Sequence, residues 1–111
     1  MGGQVLVVVS SADVSKSSLA IRWAAVAARE RWVDRVEVAL FGPVEDALAR
    51  GSPPLEEALN MAREAGVPVV ACINYARAGG YEEKLAGKVP LEFVGKIIGE
   101  RVSQGWTILV F

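Results

Sequence analysis

An apolar, mostly β-branched run near the start of the chain places the tightest constraint on the fold. The run extends from Gln4 to Val9 without alternating polar and apolar residues. A strand of this kind is buried on both faces, as in the centre of a parallel sheet that helices cover on each side. Further strands are predicted by VEVALF at 36–41, VPVVACI at 67–73 and TILVF at 107–111, and VPLEFV at 89–94 predicts either a strand or an extended connection.

Helical periodicity fills the segments between these strands. Leu19, Trp23 and Val26 recur at helical spacing and predict a first helix that ends near Trp32. Strands that alternate with helices predict a parallel sheet in a single domain, residues 1–111. Other predicted helices are 44–50, 53–66, a short one at 81–86 and one through 94–102, whereas 74–80 is predicted to be a loop.

Missing residue types exclude several classes of site. The chain has no histidine, so its own residues cannot form a Ser-His-Asp triad, a Cys-His dyad or a histidine-based metal site. Its one cysteine, Cys72, cannot form an internal disulfide or a four-thiolate metal site. Because 12 Lys and Arg balance 13 Asp and Glu, no broad basic surface is available for nucleic acid. We therefore expect no metal, no nucleic-acid partner, and chemistry limited to a single thiol or to thiols that a partner supplies.

The apolar content of the chain indicates self-association. Hydrophobic residues make up 52% of the sequence and the mean hydropathy is +0.33, which is high for a chain with so much surface for its volume. We therefore expect a homo-oligomer. Apolar runs such as Val5–Val9 are far shorter than the ~18 residues of a membrane span. The opening MGGQVLVVVSS lacks the features of a signal peptide, so we expect a cytoplasmic location without membrane association.

Candidate reactive groups lie where the predicted strands end, because parallel α/β sheets bind ligands beyond the carboxyl ends of their strands. Cys72 lies at such an end, and Tyr75 and Tyr81 are close enough in sequence to rim a site there. Loop amides, a helix start, Arg77 or Lys84 would favour the reactive thiolate if they face the sulfur. The alternative is that Cys72 packs as a small buried hydrophobe. The candidate binding residues are Ser10, Ser11, Asn74, Tyr75, Arg77, Gly79 and Gly80.

The polar stretch SSADVSKSS at 10–18 allows two interpretations. Its hydroxyls, its backbone amides and Lys16 precede a predicted helix and could hold an anion. The glycines of a Walker A phosphate-binding loop are absent. The alternative, which we favour, is that Asp13, Ser15 or Ser17 caps the first helix.

Other polar and aromatic residues are expected to be structural. Three pairs of acidic residues, Glu45–Asp46, Glu56–Glu57 and Glu82–Glu83, are adjacent in sequence, and adjacent residues of a helix do not face each other. We therefore predict that all three pairs lie on solvated helix surfaces. The three tryptophans are expected in the core or in subunit contacts.

The order of these features resembles the small sulfur-relay family named after DsrE and DsrF. The resemblance extends over nearly the whole chain, and the order and spacing of its segments are more specific than any one of them. It implies a three-layer α/β/α fold with a mainly parallel sheet of about five strands, and assembly into dimers, trimers or hexamers. The segments that carry it are VLVVVSSADVSKSSLAIRWAAVAA, VEVALFGPVEDALARG, LEEALNMAREAGVPVVACINYARAGG and GERVSQGWTILVF.

The same resemblance implies a reaction. Family members active in sulfur transfer carry a cysteine after the third strand, at the position of Cys72. Cys72 would then be the catalytic residue of a sulfurtransferase-like carrier: its thiolate accepts sulfane sulfur, holds it as a persulfide and passes the outer sulfur to a partner thiol. No cofactor is required, because thiolate attack on a sulfur–sulfur bond depends on the thiolate, the leaving group and access. The implied partners are sulfur donor and acceptor proteins or small sulfane-sulfur compounds.

Two other functions remain open. The segment VVVSSADVSKSSLAIRWAAVAA also resembles the first strand, loop and helix of universal stress proteins, which would make the chain a nucleotide-binding module. We rank this function lower because the glycine-rich nucleotide signature expected later in that family is missing. The third function is an oligomeric scaffold or regulatory protein in which Cys72 only fills space in the core.

Overall fold

The computed structural model describes residues 3–111, which form a five-stranded sheet. Its strands are β1 (Gln4–Val9), β2 (Arg35–Leu40), β3 (Val69–Cys72), β4 (Leu91–Glu92) and β5 (Thr107–Val110). The strand order is β4-β3-β2-β1-β5, and all four neighbouring pairs are parallel. The predicted parallel sheet of about five strands is therefore confirmed.

Six helices connect the strands within the described residues, and they cover both faces of the sheet. They are α1 (Val14–Arg29), α2 (Val44–Arg50), α3 (Pro53–Glu64), α4 (Ile73–Gly79), α5 (Glu82–Ala86) and α6 (Val94–Ser103). None of them is long and apolar enough to cross a membrane.

The two faces of the sheet are covered unequally. Helices α1 to α5 contribute to one large buried cluster, which packs on the side chains of one face of β1, β2 and β3. Helix α6 covers the opposite face with a smaller cluster. This asymmetry follows from the strand order, because the connections from β1 to β4 advance in one direction and the α6 connection returns to β5 beyond β1. The smaller cluster, which we call the α6 cluster, has as its buried members Leu6, Val8, Ala39, Cys72, Val94 and Trp106.

Two predicted boundaries are wrong. Residues 73–79 form α4 instead of the predicted loop. Ala76 of this helix is buried against the protein, and Gly80, at φ +76°, ends the helix in a left-handed conformation. The first helix ends at Arg29, before the exposed Trp32. There the chain leaves the helix through Arg31, whose φ is +56°.

An ion pair and two cation–π contacts join the end of α6 to the sheet. Arg101 donates to both carboxylate oxygens of Glu37 on β2, from Nε at 2.8 Å and from Nη2 at 3.3 Å. The guanidinium carbons of Arg101 and Arg35 lie 5.0 and 5.4 Å from the centre of the Trp106 ring. Cation–π contacts of this kind add to the burial of the indole. The orientation of α6, and with it the cover of Cys72, depends on these contacts.

Candidate functional site

Cys72 is buried at the carboxyl end of the sheet. It is the last residue of β3 and the N-cap of α4, and only 4% of its surface is exposed. Its side chain belongs to the α6 cluster, and the half-buried Tyr75 packs against the same cluster. The thiol is therefore enclosed in the structure rather than displayed on the surface.

Two helices begin close to Cys72. The residue itself precedes α4 directly, and its strand partner in β4 is Glu92, two residues before α6 begins at Val94. The N-terminal end of a helix carries a partial positive charge because its first N–H groups have no partner within the helix. The end of β3 is therefore an electropositive part of the backbone, although its side chains are mostly apolar.

Glu45 is also buried at this end of the sheet, so the prediction that it lies on a solvated surface is wrong. Its side chain lies in the first turn of α2 and none of its surface is exposed. Oε2 accepts a hydrogen bond from the backbone N–H of Gly42 at 3.2 Å. Oε1 is buried and has no hydrogen-bond partner. A carboxyl group in this state is costly to bury when it is charged.

The Glu45 carboxyl lies next to the backbone of the residue that carries the thiol. Burial raises the pKa of Glu45 from 4.5 to about 7, and the backbone N–H groups of Gly42 and Cys72 partly offset that rise. The charge of the neighbouring Asp46 adds to the rise in pKa. Of Cys72, only the backbone N–H acts on the carboxyl, because the Cys72 side chain belongs to the α6 cluster on the other face of the sheet.

Tyr81 places a second unpaired polar atom at the site. Its hydroxyl is buried without a hydrogen-bond partner, and burial together with the charge of Glu45 raises the pKa of the phenol. Its ring lies over Gly79, where an added Cβ would come within 2.3 Å of ring atom Cε1. Only glycine permits this approach at position 79. The ring centres of Tyr75 and Tyr81 are 6.5 Å apart, so the two tyrosines link the Cys72 side of the site to the Glu45 side.

The other predicted binding residues in α4 and at its end are exposed to solvent and do not surround the thiol. Asn74, Gly79 and Gly80 are exposed. Arg77 is exposed as well, and its Nε pairs with Glu82 at 3.2 Å. These residues surround the outer surface of α4 and α5 rather than the buried thiol.

The polar groups of the loop after β1 form hydrogen bonds within the protein. The backbone N–H groups of Ser10 and Ser11 donate to the carbonyl of Phe111 at 2.7 and 3.2 Å. Asp13 accepts from the backbone N–H of Lys16 at 3.2 Å and is the N-cap of α1, which confirms the capping interpretation. The two serines therefore lie at the end of β1, separated from Cys72 by β2, and their amides are not free to hold an anion.

Among the described residues, no group of three or more Asp, Glu, Cys or His side chains is arranged to hold a metal ion.

Sequence reasoning found Cys72 but missed Glu45. The signal was present in the helix itself: Leu48 and Ala49 follow Glu45 by three and four residues, so all three share one helix face. Leu48 and Ala49 are buried, and Glu45 is buried with them. Pairing with the adjacent Asp46 suggests a solvated surface, whereas the helix face of Glu45 indicates burial.

Comparison with known proteins shows similarity of fold. No family model matches the chain, and no curated protein matches it. Among solved structures, conserved protein of unknown function BT1422 from Bacteroides thetaiotaomicron has a TM-score of 0.82 at 14% identity, over 97% of this chain and 95% of that one. Protein MTH1491 of unknown function from Methanobacterium thermoautotrophicum has a TM-score of 0.77 at 24% identity, over 98% and 99%. The ychN protein from E. coli has a TM-score of 0.70 at 18% identity, over the full length of both chains.

The raised pKa of Glu45 predicts a pH-dependent stability difference between the wild type and Glu45→Gln. As pH rises from 4.5 to about 7, Glu45 loses its proton in the unfolded chain before it does so in the folded protein, so the wild type loses stability. The glutamine cannot ionise and keeps an oxygen that can accept from Gly42. We expect the variant to be more stable at pH 8 by roughly 1–3 kcal/mol, with a smaller difference at pH 5. Urea unfolding at the two pH values measures it.

Glu57→Gln is the matched control, because Glu57 is exposed on α3. This control should change stability by less than about 0.5 kcal/mol at both pH values. A Glu45→Gln variant that is less stable than the wild type at pH 8 would contradict the buried, weakly paired state of this carboxyl.

Proposed function

We propose that this protein is a small cytoplasmic sulfur carrier that holds sulfane sulfur as a persulfide on Cys72. The observation that carries the proposal is the place of the thiol: Cys72 is the last residue of β3 and directly precedes α4, at the carboxyl end of a parallel sheet, where folds of this kind bind ligands. At the same end of the sheet, Glu45 Oε1 and Tyr81 Oη are buried without a hydrogen-bond partner, and each unpaired buried group lowers stability by about 1–3 kcal/mol. Polar groups kept at such a cost favour a chemical role for the site.

The chemistry requires only one thiol. The Cys72 thiolate attacks the outer sulfur of a donor persulfide, a sulfur–sulfur bond forms on Cys72, and the donor leaves as a thiol once it has taken up a proton. A second exchange of the same kind transfers the outer sulfur to an acceptor thiol and regenerates Cys72. Neither step changes the overall oxidation level, so no external oxidant or reductant is needed. The helix N-termini beside Cys72 suit the anionic sulfur species that form.

Access to the thiol requires an opening of its cover, because Cys72 is 4% exposed. The segment that follows it is suited to this movement: α4 and α5 are short, largely exposed, and joined at Gly80. Short helices with few buried residues open at lower free energy than the central strands. We expect small polysulfides to reach Cys72 more readily than a folded donor protein does.

A homo-oligomer is part of the proposal. The exposed large apolar residues Phe93 and Val102 lie at the start of α6 and along it, and Val110 points to the α6 side of β5, since Ile108 belongs to the α6 cluster. The thinly covered face of the sheet therefore presents apolar surface to solvent. A second copy of the chain would bury it.

A second candidate function is favoured by one observation, the enclosure of the thiol. If Cys72 never becomes accessible, the chain is an oligomeric scaffold or regulatory protein with a structural cysteine. Labelling of the native protein by a thiol reagent separates the two functions, because only a carrier must expose its sulfur.

The carrier function predicts that the native protein takes up one sulfur atom. After incubation with inorganic polysulfide, intact-mass spectrometry should show a gain of one sulfur per chain that a reducing agent removes. The gain should be absent from Cys72→Ala, since this chain has no other cysteine. Cys72→Ser provides a second control of similar size.

Two outcomes would contradict the carrier function. One is a native wild type that gains no sulfur and whose Cys72 resists iodoacetamide until urea unfolds the protein, which would assign the cysteine to packing. The other is an equal gain on Cys72→Ala, which would mean that the sulfur is bound nonspecifically.

The oligomer proposal predicts the mass of the particle in solution. Light scattering should give a multiple of the 11.8 kDa chain mass for the wild type. Val102→Lys should reduce that mass, because it places a charge on the exposed apolar side of α6, whereas Leu19→Lys on α1 should not. A wild-type protein that is monomeric across the accessible concentration range would contradict the proposal.

A further inference from the structure

We propose that Glu92 selects the sulfur donor that loads Cys72, and that this donor is a low-molecular-weight persulfide with a positively charged group. This inference rests on the proposed function and names the substrate class of the same site. It follows from three features on the α6 side of the sheet: the register of β3 and β4, a cleft beside α6, and the charges that line this cleft.

Strand register places Glu92 beside Cys72. The two residues are partners in the parallel pair of β3 and β4. Neighbouring strands lie about 4.8 Å apart, and partners in register direct their side chains to the same face of the sheet. Cys72 belongs to the α6 cluster, so Glu92 also faces the α6 side. The preceding partners, Ala71 and Leu91, belong to the large cluster on the opposite face, as the alternation of side chains requires.

A cleft of about 190 Å³ lies between the sheet and α6 on the same face. Leu6, Val70 and Ile97 of its lining are members of the α6 cluster or pack against it. Glu92 lines the cleft as well. Val70 precedes Cys72 by two residues on β3, so a molecule in the cleft lies beside the buried thiol. Drug-sized ligands occupy pockets of roughly 300–1,000 Å³, so this cleft suits a smaller molecule.

The charge of Glu92 is not balanced inside the cleft. Glu37 and Arg101 also line it, but they form an ion pair at 2.8 Å and neutralise each other. Glu92 takes part in none of the ion pairs within residues 3–111. The nearest basic residue along the chain, Lys96, is exposed and does not line the cleft. The lining of the cleft therefore carries a net negative charge, which is complementary to a cationic donor.

Glu92 can meet a donor before the donor reaches the thiol. Its strand, β4, is at the edge of the sheet, and the residue is exposed, whereas Cys72 is buried. A charge on an edge strand also prevents pairing with a strand of another molecule. If that were the whole role of Glu92, the charge of the donor would not affect the loading of Cys72.

The expected selectivity follows from Coulomb's law. An unpaired carboxylate attracts a cationic donor and repels an anionic one. At a separation of about 8 Å in water, the two effects together change the relative rates by roughly fivefold. Salt screens an interaction at this distance, so the selectivity should decrease as the ionic strength rises.

The reaction step is that of the carrier function. The Cys72 thiol gives its proton to water, and the thiolate attacks the outer sulfur of a donor R–S–SH. The bond between the two sulfurs of the donor breaks, and the donor leaves as R–SH after it takes up a proton from water. The products are Cys72 persulfide and R–SH. Glu92 meets the charged group of R and takes no part in these bonds, so its role is specificity.

The test measures sulfur loading from two donors that share a two-carbon spacer and differ in the charge of their end group. They are the persulfides of cysteamine and of 3-mercaptopropionate. Intact-mass spectrometry follows single-turnover loading of the wild type and of Glu92→Gln at pH 7. For each protein, the rate with the cationic donor is divided by the rate with the anionic donor. Any effect of Glu92 on the thiol itself is common to both donors and cancels in this ratio.

We expect the ratio at low ionic strength to be about fivefold higher for the wild type than for Glu92→Gln. At about 1 M salt the two proteins should give similar ratios. Glu92→Lys should reverse the preference, because it places a positive charge at the same position. Glu57→Gln removes the same charge from the exposed surface of α3, across the sheet, and should keep the wild-type ratio. Glu92 and Glu57 are both exposed, so these substitutions should leave the fold stable.

The outcomes separate this inference from the carrier function. If wild type and Glu92→Gln give the same ratio at low ionic strength, Glu92 does not select the donor and the carrier function stands. If Glu57→Gln changes the ratio as much as Glu92→Gln does, the preference belongs to the net charge of the protein and the inference is wrong. If the wild type takes up no sulfur from either donor, both proposals fail.

Discussion

The burial of one carboxyl group at the ends of β2 and β3 determines how this end of the molecule is built. Glu45 draws the β2–α2 connection back over the strand ends through the Gly42 amide, and the close contact of Gly42 with Ser10 ties the end of β1 to the same point. Cys72 and the start of α4 close the site from the next strand. A full set of hydrogen bonds would make this group purely structural, but Oε1 lacks a partner. The fold therefore gives up stability at this end of the sheet.

The unequal cover of the two sheet faces determines how much structure separates Cys72 from solvent. The thiol faces the side that α6 alone covers, so less structure lies between it and solvent than on the side of α1 to α5. The same side exposes Phe93 and Val102. In the function that we propose, the α6 side of the sheet provides both access to the sulfur and contact between copies of the chain.

The sequence predicted the sheet better than the site. Continuous apolar runs are specific for buried parallel strands, and β1 and α2 have the predicted bounds because Gln4–Val9 and Val44–Arg50 lie between clear turn signals. Helix α4 was missed because Asn74 and the glycine pair suggest a turn, whereas the burial of Ala76 depends on packing that no local pattern shows. The burial of Glu45 is indicated by the helix face that it shares with Leu48 and Ala49, whereas its approach to the Cys72 backbone depends on strand register between distant segments, which the sequence alone could not reveal.

The protonation of Glu45 in the folded protein is the most direct test of the central structural claim, because the organisation of this end of the sheet depends on that carboxyl. Carbon-13 NMR of protein labelled at the glutamate side-chain carboxyl would follow each such group from pH 4 to 9. The account predicts one resonance that titrates near pH 7 and is missing from Glu45→Gln. If every glutamate carboxyl titrates below about pH 5, as exposed carboxyls do, Glu45 is charged throughout the physiological range and the account is contradicted.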